Sequence, residues 1–141
     1  MSIITFDFKD GNGSVPAHQH PNGGGWVADT ATVADTAYIG PDARVYDYAQ
    51  VLDYAQVLDH AQVYGHARVF NYARVFNYAR VYDYAMVYDM AQVLDYAQVY
   101  GYARVFDYSM VYDKARVYHK ARVFDKARVC GCDLVDLFKK N

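Results

Sequence analysis

Valine or isoleucine stands at every sixth position from Val27, Val33 and Ile39 to Val129 and Val135, without a miss. No helix is built this way: six is far from a whole number of 3.6-residue turns, so the valines would wind around a helix and mark no face. A strand accounts for them. Alanine lies two places before each valine from Ala31 to Ala127, with Ser109 as the exception. In Ala-Arg-Val-Tyr, the two-residue alternation then sends alanine and valine to one side and arginine and tyrosine to the other. The Asp-Tyr, Asn-Tyr, Gly-His or Gly-Tyr pair that follows supplies turn chemistry. Each hexad therefore reads as a four-residue strand and a corner.

Strands so short, all buried on one side, can enclose a core only if the chain coils and stacks on itself. Three hexads per coil give a triangular prism, and the eighteen hexads of residues 27–134 give about six coils of 18 residues. At about 4.8 Å per stacked strand the prism is roughly 29 Å long. Valine fills its centre, and alanine fits where the walls converge.

A small residue, an outward residue, an aliphatic one and then polar ones is a pattern that resembles the hexapeptide repeat of left-handed parallel β-helices, as in hexapeptide acyltransferases and gamma-class carbonic anhydrases. The resemblance implies an all-β, left-handed triangular solenoid; the left hand comes from it alone, since parallel crossovers generally favour the right. The opening HPNGGGWVADTATVADTAYIGPDARV also resembles the start of small bacterial and phage hexapeptide-repeat proteins of unassigned function. Residues 1–26 read as an N-terminal capping segment, and DLVDLFKKN at 133–141 places Leu134, Leu137 and Phe138 on one face of a short helical cap, with the domain boundary after 134. A solenoid needs such caps over its open strand edges.

Stacking the hexads in threes sorts the outward residues into columns. After valine, the first face reads Ala28, Tyr46, Tyr64, Tyr82, Tyr100, Tyr118; the second reads Ala34, Leu52, Phe70, Tyr88, Phe106, Phe124; the third reads Gly40, Leu58, Phe76, Leu94, Tyr112, Cys130. The corners carry a second set, including Tyr48, Tyr84 and Tyr102 on one, and run from small or acidic residues through aromatics to Lys114, Lys120 and Lys126. Asp, Asn or Gly precedes most corner residues and suits a left-handed backbone; Pro41 and His119 break the pattern, which predicts different corners there. Stacked rings stabilise neighbouring strands, yet three apolar outward stripes exceed what a lone soluble chain usually exposes. Tyr46, Tyr64, Tyr82, Tyr100, Tyr118, Phe70, Tyr88, Phe106 and Phe124 are thus the expected interaction surface.

Little in the sequence supports enzymatic chemistry. The resemblance to carbonic anhydrases implies a zinc site of three histidines, but His60 and His66 fall on different corners and His119 lies coils away. Only His18 and His20 are close, and they suit a cap better than a metal. Acyltransferases of the fold carry a catalytic histidine and inserted loops, whereas no insertion interrupts residues 27–134. No Ser-elbow, P-loop or dinucleotide fingerprint occurs. Cys130 and Cys132 make a poor zinc site without further thiols. With threonine confined to Thr30, Thr32 and Thr36 near the first coil, a flat ice-binding array is excluded as well. The expectation is a protein without catalytic residues, metal or cofactor.

Net charge is −2, but residues 27–62 hold six acids and one base while residues 99–134 hold seven bases and four acids. Arg104, Lys114, Arg116, Lys120, Arg122, Lys126 and Arg128 form a candidate basic patch at the second end. Arginine interleaved with aromatics suits single-stranded nucleic acid, although the aspartate column Asp35, Asp53, Asp89, Asp107, Asp125 opposes it. No signal peptide or membrane-length run is legible, which points to the cytoplasm. The reading that follows is a structural β-solenoid that self-associates through its aromatic ladders as a dimer, a trimer or a head-to-tail filament. A binding protein for an external macromolecule, such as a phage-encoded inhibitor of a host factor, is the alternative.

Overall fold

The computed structural model describes residues 3–131 and the strand Leu134–Val135. After β1 (Thr5–Asp7), β2 (Ser14–Gln19) and β3 (Trp26–Ala28), one two-residue strand falls in each hexad, from β4 (Thr32–Val33) to β21 (Leu134–Val135). Each is half the expected length, yet the hydrogen bonding runs well beyond it. Arg80 N–H donates to the Ala97 carbonyl at 3.0 Å, Tyr82 N–H to Val99 at 3.0 Å, and Tyr84 N–H to Gly101 at 2.9 Å. Each hexad from the one ending at Tyr48 to the one ending at Tyr108 thus clips onto the coil ahead at its strand and at its corner.

Every third strand joins the same sheet, and valine meets valine in register, as in Val81 against Val63 and Val99. The result is three parallel sheets around a dry axis, a β-solenoid of about six turns. From Ile39 to Val117 the axial valine or isoleucine is inaccessible to solvent, and the alanines from Ala49 to Ala103 join it. Ser109, the one polar intruder, keeps its hydroxyl on the Phe106 carbonyl at 2.7 Å.

The corners explain the aspartates. From Asp47 to Asp125 every residue at the turn has φ between 56° and 67°, whether Asp, Asn, Gly or His. Short polar side chains and glycine tolerate this left-handed conformation best. His119, expected to break the series, adopts φ 56° like its neighbours, because the backbone around it is already set by the coil before it. Pro41 does depart, and Asp29, Asp35 and Gly131 depart with it. The carboxylates also bind the stack: Asp53 Oδ2 accepts from the N–H of Asn71, Asp89 Oδ2 from Asp107, and Asp107 Oδ2 from Asp125, at 2.9–3.1 Å. A corner Asp therefore satisfies a backbone donor one full coil away, which a turn propensity alone does not reveal.

The first coil turns differently, and threonine compensates. Where Tyr48 and Tyr54 use backbone N–H groups to reach the next coil, Thr30 and Thr36 use their hydroxyls, which donate to the carbonyls of Asp47 and Asp53.

The N-terminal segment caps this end. Strand β2 runs antiparallel to both β1 and β3 and so extends the first sheet to nine strands. The HPNGGGW loop then covers the start of the third: Ile39 N–H donates to the Asn22 carbonyl, and Gly25 N–H to that of Ile39, both at 3.0 Å. Gly23, at φ 113°, lies so near Ile39 that an added Cβ would be 2.1 Å from its carbonyl oxygen. At the other end Leu134 is not helical: Leu134–Val135 pairs in parallel with Arg116–Val117, so the valine register outlasts the expected boundary. The helical cap expected from Leu137 and Phe138 lies outside the described residues.

Candidate functional site

Two kinds of aromatic ladder run along the solenoid, and they differ in burial. On the first face Tyr46, Tyr64, Tyr82 and Tyr100 stack at 4.8–5.0 Å between centroids with planes 2–4° apart, and Tyr118 continues at 5.5 Å. The second face stacks Phe70, Tyr88, Phe106 and Phe124 in the same way at 4.8–5.6 Å. Of these nine residues Tyr46 is buried, Phe124 is exposed and the others are half-buried. Long outward neighbours and the rings above and below cover much of each ring.

At the corners the rings stand free. Tyr48, His66, Tyr84 and Tyr102 stack at 5.0–5.3 Å along one edge, and His60, Tyr78 and Tyr96 at 5.0–5.1 Å along another. The corner tyrosines from Tyr48 to Tyr108 are each at least half exposed, Tyr102 at 60%. Burial thus moves much of the uncovered aromatic surface from the faces to the corners.

The first face is the most constructed of the three. Phe8, from the cap, lies over Tyr46 at 4.8 Å, in the space that Ala28 leaves at the top of the column, and Phe6 stacks on Trp26 at 4.6 Å. Phe8 is 2% exposed and Tyr46 5%. Arg44 holds the join, with Nη1 donating to the Phe8 carbonyl and its guanidinium 5.2 Å from the Phe6 ring. The small residue at Ala28, at the head of a tyrosine column, was the sequence signal for this. Two hydroxyls below find the outward residue of the next coil: Tyr46 donates to Gln62 Oε1 at 2.9 Å and Tyr82 to Gln98 Oε1 at 2.8 Å, while the Arg80 guanidinium faces the Tyr64 hydroxyl. Burial, helped by the charges of Tyr64, Tyr100 and Asp83, pushes the Tyr82 hydroxyl up to about 12. Burial raises Tyr46 and Tyr64 as well, Tyr64 against the opposing pull of Arg80.

Beside this column a groove of about 300 Å³ follows the axis across three coils, between His60, Tyr78 and Tyr96 on one wall and Gln62, Arg80 and Gln98 on the other. With both glutamine oxygens already accepting from tyrosine, the amides and the guanidinium leave this wall rich in donors.

The family model described as the YdcK beta solenoid repeat matches residues 61–77. This chain is a β-solenoid repeat protein. Neither a curated protein nor a solved structure matches it.

The remaining candidates of the solenoid separate. Arg104, Lys114, Arg116, Lys120, Arg122, Lys126 and Arg128 are all exposed and gather at the C-terminal coils. His18 and His20 do not converge: His18 Nδ1 meets Asp29 Oδ1 at 2.7 Å in solvent, while His20 is buried with Nε2 on the Ala37 carbonyl at 2.9 Å. His20 belongs to the cap. Cys130 is half-buried at the end of the third face, and Cys132 lies outside the described residues. Among the described residues no helix is long and apolar enough to cross a membrane.

Proposed function

We propose that this solenoid is a non-enzymatic structural and interaction module that self-associates through its outward aromatic ladders. The observation that carries the reading is the row of exposed corner tyrosines beside half-buried tyrosine faces, held at one spacing over several coils. Contiguous apolar surface of this kind commonly marks a contact site, and its regular pitch suits a partner with the same pitch. Sedimentation equilibrium across salt concentrations tests it. Assembly of the wild type, weakened by Tyr82→Ser with Tyr100→Ser, is the expected result; a monomer at every salt concentration sinks the reading.

A second reading, an external macromolecule bound at the basic end, is favoured by the seven exposed cations there. Binding of single-stranded DNA that falls steeply with salt and is lost on reversing Lys114, Lys120 and Lys126 to glutamate would favour it over self-assembly.

A further inference from the structure

Over residues 43–102 the charge of the outward residue follows that of the corner on the first face alone; the next hexad there, ARVYHK, ends the run with Arg116 and His119. The hexads read ARVYDY, AQVYGH, ARVYDY and AQVYGY, so Arg44 and Arg80 come with Asp47 and Asp83, and Gln62 and Gln98 with Gly65 and Gly101. The other two faces lack the rule: Gln50 comes with Asp53, while Arg68 and Arg74 come with Asn71 and Asn77. Repulsion between stacked arginines does not require the alternation either, since Arg104 and Arg122 pair directly on the second face. Within a hexad the arginine and the aspartate flank the tyrosine on opposite sides, and no ion pair joins them: among the described residues the sole ion pair is His18 with Asp29. Asp83 gives one oxygen to the Gly101 N–H and keeps acceptor capacity.

We propose that the first face docks onto the same face of a second copy in a parallel dimer, with the twofold axis along the solenoid and through the tyrosine column. The proposal rests on the self-association reading and names its surface. Such an axis exchanges the two edges of the face while keeping each coil at its own level. Arg80 then meets Asp83 of the second copy, and Asp83 meets the other Arg80, whereas Arg44 stays with the cap on the Phe8 carbonyl. The uncharged coils fall on either side of this pair, with Gln62 opposite Gly65 and Gln98 opposite Gly101. Closed twofold symmetry admits no axial slip. The antiparallel alternative instead brings aspartate edge to aspartate edge and arginine edge to arginine edge. The donor-lined groove beside Arg80 is the slot that receives the second copy's Asp83 corner.

Charge exchange tests this on the full chain by sedimentation equilibrium, with circular dichroism confirming the fold of each variant. Arg80→Asp alone and Asp83→Arg alone each weaken the dimer by about tenfold or more, since each creates two like-charge contacts; an equimolar mixture of the two restores it, because both exchanged contacts become opposite in sign. An independent geometric readout uses Tyr100→Cys in a Cys130→Ser, Cys132→Ser background. Oxidation gives a covalent dimer through Cys at 100 in both copies if the arrangement is parallel. Cross-linking that requires a mixture of Tyr64→Cys and Tyr100→Cys chains, or a dimer indifferent to Arg80→Asp, overturns the proposal while leaving self-association standing; a wild-type monomer overturns both.

Discussion

Tyr82 and Tyr84 are the same residue two places apart, each stacked on neighbours 5.0–5.2 Å away, and they live in different media. Tyr82 is half-buried, bonds Gln98, and has its ionisation suppressed; Tyr84 is half exposed at a corner. Ring stacking alone therefore does not say what a tyrosine contributes. Its neighbours in the coil ahead do: the Tyr82 ring carries its hydroxyl to the outward Gln98, whereas the Tyr84 ring projects past the turn.

The contrast is broken most severely at Tyr46, the deepest face ring. Tyr46→Ala removes a side chain packed under Phe8 and leaves the cap without its contact, so a loss of about 3 kcal/mol in urea unfolding is expected. Raising the pH acts on several face rings together. Keeping Tyr46, Tyr64 and Tyr82 neutral favours the folded state; with unfolded tyrosine titrating near 10, that contribution is full below about pH 10 and is lost at higher pH, the Tyr82 share as pH climbs through about 12. Absorbance of tyrosinate should show a late-ionising class, and a single transition near 10 for all tyrosines would erase the distinction. Tyr82→Phe keeps the stack and deletes only the hydroxyl on Gln98, for a smaller cost of about 1 kcal/mol. Tyr102→Ser, at the most exposed end of a corner ladder, should shift stability by about 0.5 kcal/mol or less in the monomer. A large effect of Tyr102→Ser on monomer stability would mean that the corners also bear the fold.

Sequence periodicity made most of the architecture legible, because one buried valine per hexad fixes both the strand register and the number of coils. It was silent where a residue's role depends on a coil 18 positions away. Asp53 and Asp89 looked like turn formers and a counter-charge, and are also acceptors for the next coil's backbone. His119 looked like an exception, and the stack imposed the common turn on it. The caps were only outlined: Phe8 on Tyr46 and His20 under Ala37 join residues that no repeat relates. Leu134 fitted a helical face as readily as a strand, and pairing with Arg116 decided it. For the candidate surface the columns were correct, but which rings are covered depends on how long side chains lie across a wall.

The two-coil rhythm of the first face reaches beyond any one contact. ARVYDY, AQVLD, AQVYG and ARVF recur 36 residues apart, in residues 43–78 and again in 79–114. Losing or gaining 18 residues would preserve every valine, alanine and turn, and the prism would close as before. It would also exchange glutamine and arginine along the first face beyond the splice. Such a lineage can thus change length freely in hexad triplets as a fold, but only in double coils if the chemistry written on that wall is to be inherited.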